Sequence, residues 1–401
     1  MIAGGSHPSF GLAAKMLGQL AEVTISGRQV GRITEEIGQE MAEKRDLKTN
    51  QFQDKTLASA VIGVPRVAVV EMDGGRFLAR GCGSGPGSHE ASWKEDKIAC
   101  LVTMGGDLFD RDPHPELPAC FRDRKAVAKL VRGLAAQGAL GDLVEEAAEE
   151  DQAAESAPAD AEDTAIDELE WPPRPLVRTS VATTQASEAF GPMVAAEARA
   201  RNFDRAERKA FVADGGKWIW SIQKVYFPKY TAINDFIHVV SYVYLAAKAV
   251  GSSAEAHWDM YLGWATACWQ GQVATVIEEL THWQKRLGPM PEGLELPKSD
   301  PRQVVSKSLT YLENNRTRMN YPEYRRQGLP TMSGLVESLI KQFNYRVKGT
   351  EKSWLLENAE SILQVRAALL SEDERLERHM DGRMCLPFRR YKRDTDEGKA
   401  A

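Results

Sequence analysis

The sequence lacks the features of a membrane protein, of a secreted protein and of a disulfide-linked or zinc-finger domain. No stretch approaches the ~20 consecutive apolar residues that a membrane-spanning helix needs, and the N-terminus has no basic region followed by an apolar core. The five cysteines among the 401 residues are scattered and form no C-x-x-C pair. These absences predict a cytoplasmic protein with reduced thiols, and the length suffices for about two or three domains.

Basic residues are missing from one segment. Residues 142–170 contain 13 Asp and Glu and no Lys or Arg, whereas the whole chain has a formal net charge of −6. The rest of the chain is therefore positively charged overall. Because the segment also has few apolar residues that would anchor it to a core, its composition predicts a disordered loop, and an acidic regulatory arm is the alternative.

Basic residues concentrate in the C-terminal half of the sequence. They occur in three stretches, at residues 314–327, 341–349 and 383–393. Lys and Arg side chains that neutralise phosphates release condensed counterions, so such stretches favour a polyanionic partner such as double-stranded DNA. An ordinary solvated surface is the alternative for any single stretch.

Residues 1–60 have the apolar periodicity of helices. Ser26 is a suitable N-cap for the second of two helices. Two helices joined by a glycine-containing turn match a helix-turn-helix, in which Arg28, Gln29 and Arg32 face a DNA groove. A plain helical hairpin fits the spacing equally well. The predicted apolar faces are Leu12, Met16, Leu17 and Leu20 on the first helix and Val30, Ile33, Ile37 and Met41 on the second.

After the N-terminal helices, the pattern changes to strands and then to alternating helices and strands. Three β-type runs at 64–73, 76–81 and 96–106 predict an antiparallel meander. Strands at 209–214 and 230–235 alternate with helices, which indicates parallel crossovers. A Trp-rich helical region precedes the last predicted helix. This order predicts an α/β fold, namely an RNase H-like mixed sheet with a helical insertion before the last core helix and an all-α N-terminal segment.

The predicted elements divide the chain into five regions. The second and fourth of these regions together form the predicted RNase H-like core, in which the acidic segment 142–170 is an insert. The five regions are a helix-turn-helix-like DNA-binding segment (1–60), the first part of the catalytic core (61–250), a helical insertion (251–328), the last core helix region (329–375) and a basic C-terminal tail (376–401).

Two Asp residues, Asp73 and Asp214, follow predicted strands and precede Gly-Gly. In an RNase H-like fold the first strand lies beside the fourth, and neighbouring strands are ~4.8 Å apart, so the two carboxylates are expected to meet. Glu337, near the start of the last core helix, is the best candidate for a third acid. Three carboxylates suit two Mg²⁺ or Mn²⁺ ions, one activating the attacking oxygen and one stabilising the leaving oxygen of a phosphoryl transfer.

Each of these acids has a simpler interpretation when it is taken alone. A strand-end Asp before Gly-Gly is frequently a turn residue, and an acid in the first turn of a helix is favoured by the helix dipole. Glu71 lies two residues before Asp73 on the same side of the strand, so it competes for the role of first ligand. The occurrence of three acids in the right topological order favours the metal site.

Two further motifs contain residue types that catalyse reactions or bind ligands in other proteins. Asp235 and His238, in DFIHV, begin the helix after the predicted fifth strand and lie three residues apart on one helical turn. A histidine in this position is, by itself, more often a capping or core residue than a metal ligand. The glycine-rich run around Cys82, GCGSGPG, is not followed by a helix, so it predicts a flexible hairpin rather than a phosphate-binding loop.

Five stretches of the sequence, taken together, resemble the conserved blocks of one protein family: VVEMDGG, ADGGKWIW, DFIHV, YLENNRTRMNYPEYRRQGLPTMSGLVES and WLLENAESILQVRAALLS. In combination they resemble bacterial insertion-sequence transposases of the DDE superfamily, specifically the ISKra-type group, which is related to the Mutator-like enzymes. The Asp, Asp, Glu triad of the family maps onto Asp73, Asp214 and Glu337. The (C/D)-x-x-H motif of the related enzymes maps onto Asp235 and His238.

The resemblance covers residues 27–370 and implies a metal-dependent transposase with no small-molecule substrate. Such an enzyme cleaves double-stranded DNA at the transposon end and joins the freed 3′-hydroxyl to target DNA, as a homo-oligomer associated with the bacterial nucleoid. Two departures from the family are the short N-terminal DNA-binding region and the acidic run at 142–170. Besides the N-terminal helices, the residues predicted to contact DNA are Arg316, Arg318, Arg325, Arg326, Lys341, Arg346 and Lys348.

Two rival functions are consistent with the sequence. An RNase H-like nuclease would cut DNA without joining it, and a strand-transfer assay separates this activity from transposition. A non-catalytic DNA-binding protein derived from a transposase would use only the helical N-terminus and the basic stretches. The intact carboxylates favour an enzyme.

Overall fold

The computed structural model describes residues 9–80, 91–137, 171–291, 296–349 and 352–383, together with His7 and Leu140. The acidic segment at 142–170, the GCGSGPG run and the chain from 384 onwards lie outside the described residues. The predictions of a disordered loop, of a flexible hairpin and of most of the basic tail therefore stay predictions.

A five-stranded mixed sheet forms the centre of an α/β fold. The strand order is β3-β2-β1-β4-β5. β1 pairs with β2, and β2 with β3, in antiparallel fashion, whereas β1 pairs with β4, and β4 with β5, in parallel. The strands are β1 (Val67–Arg80), β2 (Ala91–Gly105), β3 (Arg174–Thr183), β4 (Arg208–Ala213) and β5 (Thr231–Asn234).

The antiparallel part of the sheet differs from the predicted meander. β1 runs continuously through Gly74 and Gly75, so the two runs at 64–73 and 76–81 are one strand, and the third antiparallel strand is β3. The two glycines do not form a turn. They leave space for the side chains of β2, because a Cβ at Gly75 would lie 2.6 Å from Oδ1 of Asp96 on β2. The sequence did not predict β3, whose first four residues are exposed at the sheet edge.

The helices pack around this sheet, and the four α-helices between residues 254 and 326 lie in the region predicted to hold a helical insertion. The sequence did not predict the helix at Arg124–Gln137. The helices are α1 (Phe10–Ala21), α2 (Gly27–Gln53), α3 (Arg124–Gln137), α4 (Ser187–Ala200), α5 (Lys217–Tyr226), α6 (Phe236–Val250), α7 (Ala254–Trp269), α8 (Val273–Leu287), α9 (Pro301–Asn315), α10 (Tyr321–Arg326), α11 (Gly334–Val347), α12 (Leu356–Leu369) and α13 (Arg375–Gly382).

The two N-terminal helices pack on the sheet domain. The predicted N-cap Ser26 is confirmed, since its hydroxyl accepts the Gln29 N–H at 3.2 Å and the Gln29 side chain accepts the Ser26 N–H at 3.0 Å. α2 packs against α4 and α12, and Gly38 allows its backbone to touch Ser361. The predicted apolar face of α1 is wrong, because Leu20 is 78% exposed and Ala13 is the buried residue.

Alternation along β1 sends its side chains to two separate layers of the core. Val67 and Val69 join the core layer that contains residues of α6, α11 and α12, whereas Ala68 and Val70 join the layer that contains residues of α4 and α5. By the same two-residue period, the odd-numbered acids that follow on β1 face the α11 side. The sheet thus directs β1 carboxylates towards the helix that carries Glu337.

Candidate active site

Asp73 lies inside β1, beside the strand that leads to Asp214. The parallel register of β1 and β4 ends with the pair Met72 and Ala213. Asp73 and Asp214 are therefore the next residues on two neighbouring strands, whose backbones run ~4.8 Å apart. The sequence predicted this adjacency. Its placement of Asp73 at a strand end is wrong, because β1 continues to Arg80.

Glu71 connects β1 to the N-terminus of α11. Its side chain is buried, and Oε2 accepts a hydrogen bond of 2.8 Å from the backbone N–H of Val336. Burial raises the pKa of Glu71 to about 8, the Val336 hydrogen bond opposes this shift, and the charges of Asp235 and Glu337 add to it. Because Glu71 holds the start of α11, it has a structural contact that Asp73 lacks. This contact favours Asp73 as the site residue of β1.

Glycine determines the shape of the loop after Asp214. Gly215 has a φ of +108°, and a Cβ there would lie 2.9 Å from the ring of Tyr311, so both the backbone and the space require glycine. The N–H of Gly216 donates to Oδ1 of Asp214 at 2.9 Å. The Tyr311 hydroxyl donates to the Asp214 carbonyl at 2.9 Å, from a position 97 residues later in the chain. No local pattern in the sequence indicates this role for Tyr311.

Asp235 and His238 form a buried pair at the start of α6. Oδ1 of Asp235 accepts the N–H of Ile237 at 3.3 Å and that of Ser333 at 3.1 Å, which joins α6 to the residue before α11. Oδ2 of Asp235 lies 2.7 Å from Nδ1 of His238. Nε2 of His238 is buried and has no hydrogen-bond partner among the described residues. The imidazole is therefore fixed at Nδ1, and its buried Nε2 remains without a partner among the described residues.

The electrostatics join these groups into one cluster. Burial lowers the pKa of His238, but the hydrogen bond and charge of Asp235, together with the charges of Asp214 and Glu337, raise it to about 10. Burial and then the charge of Asp214 raise the pKa of Asp73 well above its usual range, and His238 opposes this shift. The imidazolium of His238 therefore balances part of the carboxylate charge of the cluster.

The tightest group of possible metal ligands is not the predicted triad. One ligand atom each of Asp235, His238 and Glu337 lies within 4.8 Å of the others, and in the described part of the chain this cluster does not include Asp73 or Asp214. Like-charged carboxylates repel, which opposes closer approach of the three predicted acids. Glu337 is common to the predicted triad and to the observed cluster.

The residues predicted to contact DNA fall into three groups by exposure. Arg318 and Arg326 are partly buried, and Arg326 forms an ion pair of 2.7 Å with Glu323. Arg318 lies 4.3 Å from the centroid of the Trp220 ring and donates to Oδ1 of Asn315, which adjoins the Asp214 loop. The exposed group is Arg28, Gln29, Arg32, Arg316, Lys341 and Lys348.

The predictions for Arg325 and Arg346 are corrected because both side chains are buried. Arg325 is 0% exposed, donates to Oδ1 of Asp112 at 2.8 Å and stacks on the Trp269 ring at 4.0 Å. Arg346 is 1% exposed and lies 4.4 Å from the ring of Phe10. A buried guanidinium has no access to a DNA backbone, so both residues support the packing of the protein instead.

Comparisons with known proteins do not assign a family. No model of a known protein family matches the chain, and no curated protein matches it. In the part of the chain that the structure describes, no helix is long and apolar enough to cross a membrane. The function is therefore inferred from the geometry of the site.

Proposed function

We propose that this protein is a DNA transposase of the DDE type, which cleaves and joins double-stranded DNA by phosphoryl transfer. The observation that carries the proposal is the adjacency of Asp73 and Asp214 on β1 and β4, with Glu337 on the helix that Glu71 anchors to β1. The strand order β3-β2-β1-β4-β5 supports an RNase H-like fold. In this proposal the protein acts in the cytoplasm, as a homo-oligomer on DNA.

The donor set is compatible with divalent cations. Asp73, Asp214 and Glu337 supply carboxylate oxygens, which Mg²⁺ and Mn²⁺ prefer. Burial and then the charge of Asp214 raise the pKa of Asp73, and the charge of His238 offsets this shift only in part. Two bound Mg²⁺ or Mn²⁺ ions would supply charge stabilisation at the attacking and leaving oxygens of the phosphodiester. These three residues are the ones we assign to hold the ions.

The Asp235 and His238 pair has a separate role in the proposal. Asp235 fixes the imidazole through Nδ1 and cannot turn away, because Ile237 and Ser333 hold its other oxygen. Nε2 of His238 then has one orientation, and we assign it to hold a phosphate oxygen of the DNA by a hydrogen bond. The positive charge of His238 contributes to the binding of a phosphate in the same place.

Basic side chains near the site would hold the DNA backbone. Arg318, stacked on Trp220, adjoins the Asp214 loop, and Arg316 is exposed in the same short turn. Lys341 is exposed on α11, the helix of Glu337, and Lys348 is exposed just after it. Contacts of this kind position a duplex without reading its sequence.

A cleavage and strand-transfer assay tests the proposal. The purified chain is incubated with Mn²⁺ and with labelled duplexes that copy the DNA on either side of its gene, and cut and joined products are separated. We expect both products from the wild type and neither from Glu337→Gln. The control Glu313→Gln changes an exposed acid on α9 and should keep both activities.

Three outcomes of this assay bear on the rival functions. Cut DNA without joined product would show that the protein is a nuclease and not a transposase. DNA binding without any cut product, in the wild type as in Glu337→Gln, would favour a non-catalytic DNA-binding protein. Cleavage that persists in Glu337→Gln would contradict the site itself.

A further inference from the structure

A cavity lies at the opposite end of the sheet from β4 and β5. It has a volume of about 630 Å³, is open to solvent on one side and is lined by α2, α4, α12, α13 and the edge strand β3, with the loop at 60–65 as a further wall. None of its lining residues belongs to the candidate active site. Small-molecule sites in proteins have volumes of about 300 to 1,000 Å³, so the cavity has the size of such a site.

Positive charge exceeds negative charge in the lining. The two lining carboxylates are already engaged, because Glu197 contacts Lys48 at 2.8 Å and Arg375 at 2.5 Å. Asp373 contacts Arg375 at 2.8 Å and Arg378 at 3.4 Å. Arg45 is engaged as well, by Asp46 at 2.8 Å and by Glu360. The uncompensated positive charge of the lining therefore lies at Lys44 and Arg201. The six lining cations are Lys44, Arg45, Lys48, Arg201, Arg375 and Arg378.

Lys44 and Arg201 have no carboxylate at ion-pair distance within the described residues. Nζ of Lys44 lies 2.8 Å from Nδ1 of His379, whose Nε2 lies 3.0 Å from Glu40. Burial and the charge of Lys44 lower the pKa of His379, so a neutral ring accepts from Lys44 and donates to Glu40. Arg201 is 8% exposed, and its guanidinium donates to the carbonyls of Leu101 and Val177 and to the hydroxyls of Thr103 and Thr179.

These neutral partners satisfy the N–H groups of Arg201 but do not neutralise its charge. A cation that is removed from water without a counter-charge favours the entry of an anion. Arg201 is thus a buried positive charge in the wall of a cavity whose rim carries Lys44 and Arg378. The lining attracts an anionic group from solvent.

The remaining lining is apolar. Val64 is 46% exposed and Val61 is 43% exposed in the wall loop, whereas Val181 and Met193 are buried in the lining. Apolar surface of this kind gains from contact with an apolar ligand, since both surfaces leave water. We propose that this cavity binds a small organic anion with an apolar body, in which a phosphate or carboxylate group faces the cations. The proposal is independent of the function proposed for Asp73, Asp214 and Glu337.

Fluorescence titration with 8-anilinonaphthalene-1-sulfonate, an apolar aromatic anion, tests this inference on the full chain. We expect one saturable site per chain. The double variant Lys44→Met with Arg378→Met should bind the probe about tenfold more weakly, because it loses two rim charges. Lys15→Met removes an exposed charge on α1 outside the cavity and should leave the affinity unchanged. Val64→Phe, which adds volume at the entrance, should also weaken binding.

Competition then identifies the ligand class. Displacement of the probe by adenosine monophosphate but not by adenosine assigns a phosphate ligand, and displacement by decanoate but not by decanol assigns a carboxylate ligand. Either result supports the inference. Failure of both anions, equal displacement by the neutral analogues, or unchanged probe affinity in Val64→Phe and in the rim double variant would overturn it. Thermal midpoints of the variants, measured without probe, show whether each one is folded.

Discussion

The hydroxyl of Tyr311 on α9 donates a hydrogen bond of 2.9 Å to the backbone carbonyl of Asp214, which follows β4. The same hydroxyl accepts a hydrogen bond of 2.8 Å from Nδ2 of Asn234, at the end of β5. The Tyr311 ring stacks on Tyr242 with centroids 3.8 Å apart. One tyrosine from the helical region thus fixes the ends of two neighbouring strands at the candidate site.

Removal of this hydroxyl should affect both stability and cleavage. We expect Tyr311→Phe to lower the free energy of unfolding by roughly 1 to 3 kcal/mol, because the Asp214 carbonyl and the Asn234 amide lose a buried partner. Cleavage should slow as the Asp214 loop loses its support. Urea unfolding and single-turnover cleavage measure the two effects. Tyr242→Phe keeps the ring stack and is the control, and equal losses in both variants would contradict the role of the Tyr311 hydroxyl.

Metal binding should distinguish the proposed triad from the cluster of Asp235, His238 and Glu337. A ligand that binds only the folded state stabilises it by about 1.4 kcal/mol at a tenfold excess over Kd. We therefore expect Mn²⁺ to raise the Tm of the wild type and to have little effect on Asp73→Asn or Asp214→Asn. Thermal unfolding with and without Mn²⁺ measures this.

The His238→Ala variant is the matched comparison for metal binding. If its Tm responds to Mn²⁺ as the wild type does, the ions bind through the triad. If His238→Ala loses the response while Asp73→Asn and Asp214→Asn keep it, the metal site is the observed cluster, and the assignment of ligands made above is wrong.

The catalytic role of His238 predicts a second, different measurement. We expect His238→Ala to lower the single-turnover cleavage rate by a factor on the order of 10² to 10⁴, because the group that orients a phosphate oxygen is lost. A purely structural histidine would instead reduce stability by roughly 1 to 3 kcal/mol and leave the specific activity of the folded fraction unchanged. Both quantities are measured on one preparation. Lower stability with normal specific activity would remove His238 from the site.

Stability at acid pH should depend on Glu197, whose side chain is 4% exposed and bridges Lys48 of α2 to Arg375 of α13. Burial raises the pKa of Glu197, but Arg375 and Lys48 outweigh burial and lower the pKa below its usual range. A lowered folded-state pKa gives stability that is present above the unfolded-state pKa of about 4.3 and is lost as the pH falls towards the folded-state pKa. This network should therefore weaken on acidification.

Glu197→Gln tests this linkage. At neutral pH it should cost about 3 kcal/mol, because two cations lose their buried partner, and the difference from the wild type should shrink below about pH 4. Urea unfolding over this pH range measures the change. Asp204→Asn is the control, since its pair with Arg199 is exposed and should contribute less than about 1 kcal/mol. A difference that stays constant with pH would show that Glu197 acts by packing alone.

The sequence by itself determined the features that depend on neighbours in the chain. The N-cap at Ser26 requires only the residues of the next helical turn. The order of strand and helix patterns along the chain predicted an α/β fold. The RNase H-like strand order, in which the first strand lies beside the fourth, predicted the adjacency of Asp73 and Asp214. The DFIHV motif predicted the proximity of Asp235 and His238 for the same local reason.

Only the tertiary structure decided the features that depend on contacts distant in the sequence. Asp96 on β2 explains why Gly75 lies inside a strand, whereas two glycines in a sequence more often indicate a turn. Arg325 and Arg346 have the sequence appearance of a basic DNA-binding surface, but aromatic rings from other helices bury them. The sequence shows that a side chain is charged, but its burial depends on the residues that pack over it. For Arg325 and Arg346 these residues come from distant parts of the chain.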